Sequence, residues 1–153
     1  MTVSHWINGA PVASEGASQP ILDPSTGQQI GEVALADAAV VDAAVTSAVA
    51  AQRAWGDASL AKRMEVMYAF RQLLVDNTQE LARIISREHG KTVPDAAGEI
   101  ARGRESVEFA CGIGAHLKGD YSSNVSSGVD VHSIRQALGV VAGITPFLSL
   151  IHI

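Results

Sequence analysis

The chain contains one cysteine, no run of lysine or arginine, and few aromatic residues (5%). The single thiol, Cys111, excludes an internal disulfide framework and any metal cluster built from several cysteines. The five histidines have no ligand spacing, so the sequence predicts no metal site. The formal net charge is -5, and a nucleic-acid partner would require a clustered basic face that this sequence does not offer. We therefore expect no nucleic-acid partner.

Long hydrophobic runs are also absent. The longest, residues 137–144, is too short to span a bilayer, which requires about 20 residues. The opening residues MTVSHW contain neither the basic nor the apolar region of a secretory signal. These observations predict no membrane segment and a location in the reducing cytoplasm.

The amino-terminal part of the chain carries short strand patterns separated by turns. Asn8-Gly9 is a strong signal for a two-residue hairpin. Asp23-Pro-Ser-Thr-Gly27 is a turn sequence with proline and glycine at favoured positions. Residues 5–36 are therefore predicted to form a small β-meander.

The apolar residues that follow recur at helical spacing. Four helices are predicted, and their caps or first residues are Asp37, Ser59, Thr78 and Pro94. Gly90 is expected to end the third helix in the left-handed conformation. The fourth should reach about Lys118, and residues 119–127 are rich in Ser, Asn and Gly, which indicates a loop.

Residues 128–147 join two different strand patterns. Residues 129–135 alternate in polarity, which is typical of a half-exposed strand. Residues 138–144 are apolar and partly β-branched, which is typical of a parallel strand buried on both faces. Such a strand implies a layered α/β fold. A Thr-Pro-Phe corner follows it, at the strand end where open α/β sheets bind ligands.

Several of these segments resemble the aldehyde dehydrogenase superfamily over residues 5–147. They are Ile7-Asn8-Gly9, Asp23-Pro-Ser-Thr-Gly27, Ala54-Trp55, Glu88-His-Gly-Lys91 and Leu138-Gly-Val-Val-Ala-Gly-Ile-Thr-Pro-Phe147. Two further segments look most like the CoA-acylating methylmalonate-semialdehyde dehydrogenases: Glu108-Phe-Ala-Cys-Gly112 and Asp130-Val-His-Ser-Ile-Arg135. The resemblance implies a homotetramer whose subunit has a Rossmann-like NAD-binding domain, a catalytic domain and an oligomerisation hairpin.

The resemblance also implies a reaction, the oxidation of malonate or methylmalonate semialdehyde. In such enzymes a cysteine thiolate attacks the aldehyde and hydride passes to NAD. CoA then takes the acyl group, with loss of carbon dioxide. The family's nucleophile lies downstream of this sequence, so no catalytic residue is expected here and the chain alone is expected to be inactive.

By the same resemblance the chain divides into four segments. Residues 1–127 would form the N-terminal part of the cofactor-binding domain, and residues 128–137 the first strand of the oligomerisation hairpin. Residues 138–147 would form the first core strand of the NAD-binding sheet. Leu148 stands where the family has an asparagine that helps to hold the developing oxyanion. Residues 148–153 are therefore expected to be a non-native tail at a truncation.

Three residues have candidate binding roles. The resemblance places Thr145 and Phe147 beside the nicotinamide half of NAD, and the alternative is a plain turn with Phe147 packed inward. It places Arg102 where a guanidinium can bind a substrate carboxylate through two hydrogen bonds. The alternative for Arg102 is a surface ion pair with Glu99 or Glu105, each three residues away.

Other reactive side chains have simpler interpretations. Cys111 lies on an apolar stripe of the fourth helix, where a cysteine acts as a small hydrophobic residue. Glu88, His89 and Lys91 lie at the end of the third helix, which indicates solvated capping.

Two other functions remain open. The free edge of the strand at residues 129–135 could pair with another sheet, which would make the chain a non-catalytic binding or assembly module. Another aldehyde dehydrogenase, such as a succinate-semialdehyde dehydrogenase, is the second alternative. A longer reading frame with a downstream nucleophilic cysteine would favour an enzyme over the module.

Overall fold

The computed structural model describes residues 2–13 and 16–145, which contain three small sheets and a group of helices. The strands are β1 Thr2–Val3, β2 His5–Ile7, β3 Ala10–Val12, β4 Ser18–Leu22, β5 Gln29–Ala34, β6 Tyr121–Ser126 and β7 Val129–His132. The helices are α1 Ala38–Asp57, α2 Leu60–Asp76, α3 Thr78–His89, α4 Val93–Cys111 and α5 Ile113–His116. Hydrogen bonds join the strands as β1-β5-β4, β2-β3 and β6-β7.

The amino-terminal strands turn where the sequence predicts. β2 and β3 form an antiparallel hairpin, and its turn residues Asn8 and Gly9 have φ of 53° and 74°. Positive φ at both central residues is the requirement of a type I′ turn, which Asn-Gly satisfies at low cost. In the next turn the backbone N–H of Gly27 donates to the carbonyl of Asp23 at 2.7 Å. β4 then pairs antiparallel with β5, so both predicted turns join paired strands. The prediction of one continuous meander is wrong, because β2-β3 and β1-β5-β4 are separate sheets and β3 does not pair with β4.

Single residues also set the helix ends as predicted. The side chains of Asp37 and Ser59 each accept a hydrogen bond from the backbone N–H three residues later, at 2.9 and 3.3 Å. Gly90 ends α3 with φ of 79°. A Cβ at this position would lie 3.0 Å from Cγ of Pro24, so both the backbone conformation and the packing favour glycine.

The core lies where α4 packs against α2 and α3. The buried hydrophobic residues of the described chain are Ala82 and Ala96, both 0% exposed, and Cys111 at 4%. Small side chains at these positions let the helix axes approach closely. Gly114 of α5 extends the contact, because a Cβ there would lie only 2.8 Å from Sδ of Met64. α4 therefore lies at the centre of the helix packing, in contact with both α2 and α3.

The apolar face of α1 has no comparable cover. α1 buries none of its residues. Val41, Val45 and Val49, which recur at helical spacing on its apolar face, are 51%, 48% and 56% exposed. Within the part of the chain that the structure describes, this face meets no core.

The polar segment 119–127 contains a strand, so the prediction of a loop is wrong. β6 pairs antiparallel with β7, which makes residues 129–132 the second strand of a hairpin rather than the first. Serine and asparagine are weak strand formers, so local sequence did not indicate β6, and pairing with β7 decides the conformation. Gly119 lies two residues before the hairpin, and a Cβ there would lie 1.8 Å from the carbonyl oxygen of Ser133.

Residues 138–144 form no strand in this structure, although their composition predicts a buried one. Leu138 and Ile144, at the two ends of the segment, are 96% and 98% exposed. No backbone hydrogen bond joins the segment to the other described residues. A strand requires a hydrogen-bonded neighbour. The apolar pattern therefore predicts a buried strand, but the described chain provides no neighbouring strand that could bury it.

Candidate functional site

α4 carries the predicted substrate residue. Thr92 is its N-cap, and Pro94 lies in its first turn, where the missing N–H costs nothing. The helix ends at Cys111 rather than at the predicted Lys118. Gly112 breaks it there because glycine is a poor helix former, and the short α5 follows.

Arg102 is exposed on α4. Neither of its two predicted ion pairs forms within the described chain, because Glu99 instead pairs with Nζ of Lys91 and no ion pair involves Glu105. The guanidinium of Arg102 likewise has no hydrogen bond to a described residue. Its hydrogen-bonding edge is thus available for an external carboxylate, which is the arrangement that the substrate role requires.

An ion pair that the sequence did not indicate joins Lys91, in the loop before α4, to Glu99 of α4. The prediction that Lys91 is a solvated capping residue is wrong, since the side chains of Lys91 and Glu99 are only 20% and 18% exposed. The hydroxyl of Ser86 donates to the carbonyl of Lys91 at 2.7 Å. These contacts connect the end of α3 to α4 one turn before Arg102, and they therefore help to orient the part of the helix that carries it.

Cys111 lies beside a groove of about 610 Å³ between α2 and α4. The groove is lined by Tyr68, Arg71, Gln72, Glu108, Cys111 and Gly112. An ion pair crosses it, with 2.7 Å between Nη2 of Arg71 and Oε1 of Glu108. A nucleophilic cysteine is normally partly exposed and next to a cation or base. The thiol of Cys111 is buried in the helix contact, which confirms the packing interpretation.

The two predicted cofactor residues have different outcomes. Thr145 is exposed, and no hydrogen bond or ion pair joins it to Arg102 or to any other described residue. Its role beside NAD stays a prediction. Phe147 lies outside the described residues, as does Leu148. The inward packing of Phe147 and the oxyanion position of Leu148 stay predictions.

A polar cluster on the hairpin was missed altogether. Oδ2 of Asp130 accepts a hydrogen bond from the hydroxyl of Tyr121 at 2.6 Å, and Oδ1 accepts one from the backbone N–H of Asn124 at 2.8 Å. The Tyr121 bond and then the Asn124 bond lower the pKa of Asp130. Tyrosine and aspartate nine residues apart gave the only signal, and it is meaningful only once β6 and β7 are known to pair.

Two classes of site have no candidate in residues 2–13 and 16–145. No group of three or more His, Cys, Asp or Glu side chains there could hold a metal ion. None of the helices in these residues is both long enough and apolar enough to cross a membrane.

Known proteins are similar in sequence to this chain over 95% of its length. A sequence profile of the aldehyde dehydrogenase family matches residues 12–149. The malonate-semialdehyde dehydrogenase of Pseudomonas aeruginosa is 49% identical over 146 residues, which are 95% of this chain and 29% of that protein. The human mitochondrial methylmalonate-semialdehyde/malonate-semialdehyde dehydrogenase (acylating) is 38% identical over 147 residues, 95% of this chain and 28% of that protein.

Solved structures share the fold. A methylmalonate-semialdehyde dehydrogenase of Oceanimonas doudoroffii matches with a TM-score of 0.92 at 43% identity, over 95% of this chain and 30% of that one. A Sinorhizobium meliloti protein assigned the same activity, in complex with NAD, matches with a TM-score of 0.93 at 46% identity, over 97% and 30%. The chain thus spans about 30% of the length of these relatives. Sequence and fold together show that the chain belongs to the aldehyde dehydrogenase family.

Proposed function

We propose that this chain forms the N-terminal part of the cofactor domain of an NAD-dependent enzyme that converts malonate or methylmalonate semialdehyde to an acyl-CoA with loss of carbon dioxide. The 49% identity to a malonate-semialdehyde dehydrogenase supports this substrate class, and the NAD complex of a similar protein supports the cofactor. In this proposal residues 138–147 form the first core strand of the NAD-binding sheet. Residues 128–137 belong to the oligomerisation hairpin of a homotetramer.

The contribution of this chain is to bind and orient rather than to react. NAD, when bound, accepts the hydride, and Thr145 and Phe147 would lie beside its nicotinamide half. Cys111 is the only thiol of the sequence, and it is buried between helices. We therefore expect the 153 residues by themselves to show no dehydrogenase activity, and the nucleophile to come from outside them.

The exposed guanidinium of Arg102 is the observation that carries the choice of an acidic aldehyde. It is free of partners among the described residues, although acidic side chains lie three residues away on both sides. A guanidinium binds a carboxylate through two parallel hydrogen bonds. Hydrogen bonds to charged groups contribute about 1.5–3 kcal/mol. Loss of Arg102 should therefore lower kcat/KM for a semialdehyde that carries a carboxylate by roughly 10- to 150-fold.

The test uses a complete enzyme in which residues 1–145 of this chain replace the aligned segment of the Pseudomonas aeruginosa relative. CoA-dependent formation of NADH is measured with malonate semialdehyde and with propanal, which has the same number of carbons but no carboxylate. Arg102→Ala is expected to lower kcat/KM for malonate semialdehyde by the factor given above and to change the value for propanal little.

Arg83→Ala is the matched control, because Arg83 is 65% exposed and pairs only at the surface, with Glu80 at 3.3 Å. It should leave both rates unchanged. An equal loss on both aldehydes in Arg102→Ala would contradict the role of Arg102 alone. If no semialdehyde supported NAD reduction by the unsubstituted chimera, the proposed activity itself would be wrong. If the chimera preferred succinate semialdehyde, that substrate would replace the proposed one.

A non-catalytic assembly module is the second candidate, and the exposed hairpin favours it. All residues of β6 and β7 are exposed, including Val125, Val129 and Val131 at 54%, 47% and 52%. Such a strand pair can extend the sheet of another chain. In sedimentation velocity, a discrete oligomer of the 153-residue chain that Val131→Lys dissociates would support the module. A monomer, or polydisperse aggregates that Val131→Lys does not change, would count against it.

A further inference from the structure

The β6–β7 hairpin contains a bulge. Two cross-strand pairs flank it, Ser122 with Val131 and Ser126 with Val129. Between them, residues 123–125 of β6 lie opposite the single residue Asp130 of β7. Two extra residues are therefore inserted into one strand, and their backbone groups lack the partners that a regular ladder would give.

The same strands could pair without this bulge. If the register of Ser122 with Val131 continued, Asn124 would lie opposite Val129 and residues 125–128 would form a four-residue turn, which is a common hairpin length. A shift of two residues keeps each side chain on its own face of the hairpin. The hydrophobic pattern, which strongly opposes a shift of one residue, therefore does not decide between the two registers.

The carboxylate of Asp130 supplies what the bulge lacks. Its Oδ1 accepts the hydrogen bond of the Asn124 backbone N–H at 2.8 Å, in place of a cross-strand carbonyl. Its Oδ2 accepts the hydrogen bond of the Tyr121 hydroxyl at 2.6 Å, on the far side of the bulge from the turn. One side chain thus spans the whole irregular region.

Asn124 extends this connection to the turn. Its backbone has φ of 52°, a left-handed conformation that asparagine tolerates better than most residues. Its Oδ1 accepts a hydrogen bond from the backbone N–H of Gly128 at 3.3 Å. A residue paired in a regular strand is extended. Asn124 would have to leave its left-handed conformation to pair with Val129. Its hydrogen bonds with Asp130 and Gly128 are therefore specific to the bulged register.

We propose that Asp130 is the residue that sets the register of this hairpin. With its carboxylate in place, Ser126 pairs with Val129; without it, the strands shift by two residues and Asn124 pairs with Val129. One side chain then decides which residues the edge of β6 presents to a partner. This inference does not depend on the proposed enzymatic activity.

The test compares Asp130→Ala with Asp130→Asn in the 153-residue chain. Asparagine has the same shape and keeps an oxygen that can accept the Asn124 N–H, whereas alanine offers none. Proton–proton NOEs report the residue opposite Val129. The parent chain and Asp130→Asn should show the NOE to Ser126. Asp130→Ala should lose it and show an NOE from Val129 to Asn124 instead, and loss of every cross-strand NOE in this variant would overturn the proposed shift.

Asp120→Ala is the control for a general loss of charge, because Asp120 lies at the entry of the same hairpin and should leave the NOE between Ser126 and Val129 intact. Unchanged amide signals from α3 and α4 establish that each variant is folded. Persistence of the NOE between Ser126 and Val129 in Asp130→Ala would overturn the proposal. Its absence from the parent chain or from Asp130→Asn would do the same.

Discussion

Two regions of the molecule carry apolar patterns in the sequence, and only one of them is covered. Where α2, α3 and α4 meet, Ala82 and Ala96 are fully buried and Cys111 is 4% exposed. The uncovered region consists of residues 138–144 and the apolar face of α1. Leu138 and Ile144 are 96% and 98% exposed, and the valines of α1 are about half exposed. Apolar surface of this kind marks a contact with another part of a protein. A hydrophobic pattern therefore indicates that a segment is buried in a contact, and the contacting residues can lie outside the chain that contains the segment.

The largest expected effect concerns the covered region. Ala96→Asp places an unpaired charge in the contact between α3 and α4, which should destabilise the chain by roughly 3–5 kcal/mol. Urea unfolding followed by far-UV circular dichroism measures the change. Ala43→Asp makes the same substitution on an exposed position of α1, and it should change the unfolding free energy by at most about 0.5 kcal/mol. Equal effects at the two sites would remove the distinction between covered and uncovered regions.

Ion pairs sharpen the same comparison. A double-mutant cycle with Lys91→Met and Glu99→Gln should give a coupling free energy of about 1.5–3 kcal/mol, because both side chains are largely buried. The pair of Arg83 with Glu80 has side chains that are 65% and 67% exposed, so its cycle should give about 0.2–0.5 kcal/mol. A coupling for the first pair no larger than for the second would mean that burial does not strengthen it.

The smallest expected effect is a pH dependence of the exposed hairpin. The hydrogen bonds from Tyr121 and Asn124 hold the pKa of Asp130 below its ordinary value of 3.8. A pKa that is lower in the folded state means that the stabilisation is present above pH 3.8 and is lost as the pH falls through the lowered value. Tyr121 is the only titratable side chain of β6, and His132 is the other one on β7. The titration midpoint of the Asp130 carboxyl carbon, followed by NMR, should therefore lie below 3.8.

Tyr121→Phe removes the largest cause of this shift, so it should move the Asp130 midpoint upward. A midpoint at or above 3.8 in the parent chain would show that the carboxylate does not hold the bulge as described. No change on removing the hydroxyl would assign the lowered pKa to the backbone N–H of Asn124 and the side chain of Ser123 instead.

Sequence predicted the fold well wherever one residue sets the local backbone. Asn8-Gly9 formed the predicted hairpin turn, Asp37 and Ser59 capped their helices, and Gly90 ended α3 in the left-handed conformation. Each of these conformations is determined by only a few residues. A capping side chain bonds to the backbone of its own turn, and glycine, which has no side chain, adopts positive φ at little cost.

Prediction failed where the structure depends on a distant partner. The sequence of β6 predicts a loop, because its serines and asparagine form a strand only by pairing with β7. Within the described chain, residues 138–144 lack the neighbouring strands that a strand requires. The ion pair of Lys91 with Glu99 likewise needs the bend between α3 and α4. For the candidate site, the family resemblance indicated Arg102, and the structure leaves its guanidinium without a partner among the described residues. Its substrate role stays a prediction that only the complete site can test.

Amide hydrogen exchange across residues 138–144 tests the central claim most directly. We expect rapid, unprotected exchange for this segment in the 153-residue chain, together with slow exchange in the contact of α3 with α4. In the complete chimeric enzyme the same amides should become protected, because the rest of the cofactor domain supplies the neighbouring strands. Strong protection of residues 138–144 in the 153-residue chain would contradict the account, and so would their continued rapid exchange in the complete enzyme.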